Sequence, residues 1–127
     1  MRATSILSFA KRITIPQLSP THTSARVIQL LIPKSQAAVQ CYDPIMILEC
    51  SSDLIADPAD RDYPDQKLKM IIETCDDGTV MNFNDHGGKW LNVGTTVGKI
   101  VEIDDDNDDV PIDGDWLWEG FKHVEKK

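Results

Sequence analysis

Residues 45–52 read Ile45-Met46-Ile47-Leu48-Glu49-Cys50-Ser51-Ser52, and residues 67–74 read Lys67-Leu68-Lys69-Met70-Ile71-Ile72-Glu73-Thr74. The first stretch opens with an apolar run that follows Pro44 and suits a buried strand. The second sets Leu68, Met70 and Ile72 on one face and Lys67 and Lys69 on the other, as a half-buried strand requires. Between them, residues 56–66 hold Pro58, Pro64, Asp57, Asp60, Asp62 and Asp65. That segment has no apolar periodicity and reads as a solvated loop. Two strands joined by a long acidic loop therefore lie at the centre of the chain.

Outward from this pair, the pattern is short strands separated by turn residues, which predicts a mainly β fold. Strands are expected over residues 13–15, 26–32, 38–40, 79–83, 91–93 and 99–103. Pro16 and the Leu18-Ser19-Pro20-Thr21 turn end the first, and Pro33 stops the second. Residues 104–109 read as an acidic connector. Asp115 is placed to cap a short helix over 116–126, with Glu119 near its start and lysines at its far end, matching the helix dipole. Gly120 weakens that helix.

The chain has 127 residues and a net charge of −8, enough for one domain with a modest core. The charge is unevenly spread. Residues 1–42 contain five basic groups and no acid, whereas the remainder carries −13. So acidic a body argues against nucleic-acid contact, because phosphate repels it. No run of eighteen apolar residues is present, so no transmembrane segment is expected. Cys41, Cys50 and Cys75 form no CxxC pair and read as reduced thiols. His22, His86 and His123 are scattered, and no metal site is expected. Residues 1–12 are acid-free and Ser- and Arg-containing. Ile6, Leu7 and Ala10 would lie on one side of a helix there, so the segment reads as a mitochondrial presequence, with a short basic N-terminal arm as the alternative.

Several motifs fall in a familiar order. Residues 13–21 read ITIPQLSPT, residues 45–49 IMILE, and residues 93–103 VGTTVGKIVEI, with Gly78 and Gly87-Gly88 at turns between them. The series resembles the lipoyl domain of mitochondrial dihydrolipoyl acyltransferases, in the lipoyl/biotinyl carrier family. The resemblance covers residues 13–109. It implies a flattened β-barrel or sandwich of the barrel-sandwich hybrid type, to which the short C-terminal helix would be added. Residues 53–66 would then be an inserted loop and 110–127 an acidic, aromatic tail. The departures are large. The family has glycines near Ala25, near Ser35 or Gln36, and before Asp43, where this chain has Tyr42. Their absence predicts relaxed loops, since glycine permits positive φ.

The resemblance also implies a carrier lysine at the tip of a tight hairpin. Counting forward from Glu49 places that lysine at Ser52; counting back from Gly78 places it at Lys67. An insertion of about 15 residues reconciles the two counts. Lys67 then sits at the foot of an acidic loop and lacks the exposed, aspartate-flanked tip that a lipoate or biotin attachment point needs.

Other constellations carry less. Asp104 to Asp109 fails the calcium-loop pattern, because its sixth and twelfth positions are Asp109 and Asp115 in place of glycine and glutamate. No nucleophile–base arrangement is evident. Trp116, Trp118 and Phe121 crowd a short segment and could pack back on the barrel or anchor a partner. The expectation is a non-enzymatic accessory subunit of a mitochondrial assembly, without cofactor. The hosts considered are the respiratory chain, the mitochondrial ribosome and a 2-oxoacid dehydrogenase complex, with a matrix or matrix-side inner-membrane location. Its candidate interface comprises Asp57, Asp60, Asp62, Tyr63, Trp116, Trp118 and Phe121. The alternative is a true lipoyl or biotinyl carrier modified at Lys67.

Overall fold

The computed structural model describes residues 10–33, 36–101 and 112–123. Within these residues, ten strands form two five-stranded sheets. In chain order they are β1 (Ala10–Thr14), β2 (Ser24–Leu30), β3 (Gln36–Val39), β4 (Pro44–Cys50), β5 (Leu68–Thr74), β6 (Gly78–Met81), β7 (Leu91–Asn92), β8 (Thr96–Val101), β9 (Ile112–Asp115) and β10 (Trp118–Lys122). One sheet has the order β3-β6-β8-β1-β9 and the other β10-β5-β4-β2-β7. Among the described residues both keep free edges, so the fold described is mainly β and two-layered, without a closed barrel.

The two sheets are related by a topological two-fold. Advancing each strand of β3-β6-β8-β1 by four positions, within a cycle of eight, gives β7-β2-β4-β5, the order of the other sheet. The supplementary strands obey the same relation, since β9 flanks β1 and β10 flanks β5. Among β1 to β8, consecutive strands lie in different sheets at every step except β4 to β5. That single hairpin is therefore a singular point of the fold.

One core lies between the layers. Ile13, Val27, Leu48, Ile72, Val80 and Ile100 are all 3% exposed or less. Alternation explains which side chains enter it. Leu48 and Cys50 of β4 face inward, each opposite an inward residue of β2, Val27 and Ala25. Glu49 faces outward opposite Arg26 and Lys69. Gly78 is needed where β5 turns into β6: a Cβ there would lie 2.3 Å from Val101 O.

The C-terminal helix expected over 116–126 is corrected in the described residues: Trp118–Lys122 is strand β10, paired antiparallel with β5. The open edge of β5 offers hydrogen bonds that an isolated short helix would lack. Gly120, which weakens a helix, suits this strand, because a Cβ there would lie 2.9 Å from Leu18 Cδ2 and 3.1 Å from Ile72 Cδ1. Asp115 ends strand β9 and pairs with Arg12 at 3.1 Å; it caps no helix. The strand expected at 99–103 is therefore followed by two more, β9 and β10.

Strand β1 begins at Ala10, so the last three residues of the expected basic arm belong to the sheet. Ala10 is fully buried opposite Val101, and Lys11 reaches Asp76 at 3.3 Å. The rest of that arm (1–9), Ser35 and the acidic connector 104–109 lie outside the described residues. The relaxed turn expected at Tyr42 is also corrected. Tyr42 itself adopts φ +75°, and Asp43 N still closes the turn onto Gln40 O at 2.9 Å.

Candidate functional site: the β4–β5 hairpin loop

Strands β4 and β5 pair from Pro44 opposite Glu73 to Cys50 opposite Leu68, leaving residues 51–67 as the connection. Its root is bonded to the turn at residues 18–23. Ser19 Oγ donates to Leu54 O at 2.7 Å, and Thr21 Oγ1 donates to Asp53 O at 2.5 Å. The Asp53 carboxylate accepts from Thr23 N at 3.2 Å and from the hydroxyls of Thr23 and Ser51. Burial alone would raise the Asp53 pKa. The Ser51 and Thr23 hydrogen bonds, aided by the nearby His22, outweigh it and hold the carboxyl below its ordinary range.

His22 lies fully buried under this root. Its Nδ1 accepts from Leu18 N at 3.0 Å, so the ring proton sits on Nε2, which donates to Ser24 O at 2.8 Å. Both ring nitrogens are used by the neutral form. Burial lowers the His22 pKa, against smaller raising effects of Ser24 O and Asp53. The histidine is a structural fastener between the turn and β2.

Beyond the root the loop folds on itself. Asp57 caps a short 3-10 turn (Pro58–Asp60) by accepting from Ala59 N at 2.9 Å. Arg61 donates to Ile55 O at 2.8 Å and to Pro64 O at 3.0 Å, drawing two chain segments together. Gln66 and Asp62 exchange two hydrogen bonds, at 2.8 and 3.1 Å. With Arg61 turned toward these carbonyls, the exposed groups of the loop are the carboxylates of Asp57, Asp60, Asp62 and Asp65 and the ring of Tyr63, which is 57% exposed. Lys67 is exposed at the foot of the loop, next to β5, with Nζ 3.5 Å from Asp65 O. Ser52, the other position for a carrier lysine, opens a 3-10 turn (Ser52–Leu54) held against residues 18–23.

The aromatic candidates separate. Trp116 is 2% exposed and part of the core, so it is corrected from surface anchor to core residue. Its indole Nε1–H is buried without a hydrogen-bond partner. Trp118 is half-buried against the core and borders an open groove of about 260 Å³ with Ile15, Gln17, Val93 and Asp115. Phe121 is 42% exposed and opposite Ile71. Because β10 runs antiparallel to β5, Phe121 lies four β5 residues from Lys67, roughly 13 Å at the strand rise. The structure thus groups Asp57, Asp60, Asp62 and Tyr63 on one loop, sets Phe121 on the sheet behind it, and withdraws Trp116.

A charged row crosses the same sheet near the loop root. Arg26 lies 5.7 Å from the Trp90 ring centroid and 2.7 Å from Glu49 Oε1, and Glu49 faces Lys69. Cys50 is buried, and burial foremost pushes its thiol up to about 12, so it is no nucleophile at neutral pH. Among the described residues, no group of three or more His, Cys, Asp or Glu is arranged to hold a metal ion, and no helix is long and apolar enough to cross a membrane.

Comparison with known proteins gives no match. No protein-family model, curated protein or solved structure matches the chain. The geometry of the hairpin and its loop therefore has to carry the functional argument by itself. Sequence reading passed over Asp53, Ser51 and Thr23, and for His22 it excluded a metal role without finding the fastening one. A Ser-x-Asp at the end of β4 was the available signal for the loop root, whereas nothing local marks Thr23 as its partner 30 residues away.

Proposed function

We propose that the chain is a non-catalytic accessory subunit of a mitochondrial multiprotein complex, built on a lipoyl-like scaffold without a functional carrier lysine. The observation that carries this reading is the β4–β5 connection. A carrier needs one lysine at the tip of a short rigid turn; here the tip is a self-bonded acidic loop and Lys67 stands at its foot. Support for the scaffold comes from the topological two-fold, from the β4–β5 hairpin as the single within-sheet step of the first eight strands, and from the positive φ of Tyr42 where the family has glycine.

A loop held by Asp53 at its root and Arg61 within is preorganised, which lowers the ordering cost of binding. Its carboxylates and Tyr63 suit a basic protein surface with room for one aromatic ring. The respiratory chain, the mitochondrial ribosome and a 2-oxoacid dehydrogenase complex remain the host assemblies, and the acid-free N-terminal segment is the basis for the mitochondrial address. If that segment is a cleaved presequence, the cut falls before Ala10, because Ala10 to Arg12 are strand residues.

The test is native size separation of mitochondrial extract from cells expressing the wild-type chain or a variant with Asp57, Asp60, Asp62 and Tyr63 changed to Ala. The wild type is expected to migrate in a high-mass assembly and the folded variant at about its own mass. A wild-type chain that migrates alone, or a variant that stays assembled, overturns the docking role of the loop. The exposure of Lys67 supports a second reading, a carrier modified at that residue, because a ligase could reach its Nζ.

A further inference from the structure

The sheet that carries the β4–β5 hairpin has an outer face, and its strand register sorts that face into three rows. Leu48, Cys50, Ile72 and Thr74 are buried inward, so the residues that alternate with them point away from the core. The first row is charged. Arg26 faces Glu49, Glu49 faces Lys69, and His123 N donates to Lys69 O at 2.7 Å. The second row is apolar. Phe121 faces Ile71 and Ile71 faces Ile47. Ile28 completes it as the extra residue of a bulge, between Val27 opposite Leu48 and Gln29 opposite Ile47. The third row sets Glu73 directly opposite Glu119.

Two features leave this face incomplete in a single copy. Among the described residues, six large hydrophobic side chains are exposed, and three of them, Ile28, Phe121 and Trp90 beside Arg26, gather here. Like charges directly opposite each other also weaken a strand pair. Among the described residues, neither Glu73 nor Glu119 has an ion-pair partner to offset this. The three rows hold two basic and three acidic groups, so most of the net charge of −8 lies elsewhere and does not oppose closure of the face.

We infer that this face packs against the same face of a second copy, about a two-fold axis that runs along the apolar row. Strand β5 presents Lys69, Ile71 and Glu73 outward at two-residue spacing, which is self-complementary when reversed. Rotation about the row leaves Ile71 over the partner's Ile71, and sets Lys69 over the partner's Glu73 and Glu73 over the partner's Lys69. His123 comes over the partner's Glu119 in the same way. A two-fold along the strands would instead stack glutamates on glutamates, so charge selects the first axis. The rows lie roughly 7 Å apart and the four strands span about 14 Å, so the patch is small for a specific interface and the dimer forms only with rising concentration. The two acidic loops leave at opposite ends of the pairing. The interface is thus separate from the loop's docking role and does not depend on it.

The experiment uses the full-length chain as a mixture of isotopically light and heavy protein. Sedimentation from about 5 to 200 μM is expected to pass from monomer to dimer. A zero-length carbodiimide crosslinker is expected to join Lys69 of a light chain to Glu73 of a heavy one. Within one copy these residues lie four positions apart on a strand, roughly 13 Å, which such a linker does not span. Lys69→Glu and Glu73→Lys, each checked for folding by circular dichroism, are each expected to weaken dimerisation by about 10-fold or more. An equimolar mixture of the two variants is expected to recover it, because both cross pairs are again opposite in charge. The crosslink in the wild type decides the question even if a variant fails to fold. A wild-type chain that stays monomeric, a dimer that lacks the Lys69–Glu73 crosslink, folded variants that dimerise as the wild type does, or a mixture that recovers nothing would each overturn the interface.

Discussion

His22 and Tyr42 show how single residues hold the elements that frame the loop. His22 is useful only while neutral, because Leu18 N–H needs Nδ1 as an acceptor. Its folded pKa lies below the ordinary 6.5, so the unfolded chain binds the proton more readily. The stability this contributes is complete above about pH 6.5 and is lost as pH falls from there toward the folded value. Asp53, also depressed, adds a second loss only below its ordinary 3.8. His22→Gln can supply an acceptor and a donor but does not titrate. Thermal melts of that variant are therefore expected to change less than wild type between pH 7.5 and 5.5; an unchanged difference would remove His22 as the cause. Tyr42 holds a left-handed conformation that costs a non-glycine residue roughly 1–2 kcal/mol. Tyr42→Gly relieves it but frees the unfolded chain by about 0.4–1 kcal/mol. The expected net is a gain of under about 1 kcal/mol in chemical denaturation, and clear destabilisation would show that the tyrosine ring itself holds the turn. Sequence reading took the missing glycine as a relaxed turn, because it weighed intrinsic preference without the hydrogen bonds to Thr74 that compensate it.

At the scale of elements, the eight strands from β1 to β8 were legible because each carries local signals, either alternation, an apolar run or a bounding Pro or Gly. Strands β9 and β10 were not. Residues 112–115, Ile-Asp-Gly-Asp, resemble a turn, and become a strand by pairing parallel with β1, where Arg12 faces Asp115 from 103 residues away in the chain. Residues 118–122 have a cap-like Asp before them and a lysine at the end, so dipole rules favoured a helix; the free edge of β5 decided otherwise. The period-2 pattern of β10 has a direct test at Gly120, whose missing Cβ admits Leu18 and Ile72. Gly120→Val is expected to cost about 1–3 kcal/mol by overpacking, read as a lowered midpoint in urea. In a helix with a solvated position 120 the same change would be mild, so a near-neutral result would argue against the strand. The loop illustrates a different limit. Its acidity and length are visible in the sequence, whereas its root, made by Asp53 with Ser51 and Thr23, depends on a contact across two elements.

At the scale of the whole molecule, the two sheets repeat one strand order, and the hairpin between β4 and β5 occupies the one step where that pattern turns back within a sheet. The proposal is that this point, used by carriers to present a lysine, here presents a folded acidic loop. Charge supports a division of labour, since the loop and the tail hold acids while the N-terminal third holds none. The most direct test of this claim is the mass of the Lys67-containing peptide from protein purified from the cells that naturally make it. The account predicts an unmodified lysine throughout the population. A lipoyl or biotinyl adduct on Lys67 would contradict it and would make the chain a carrier.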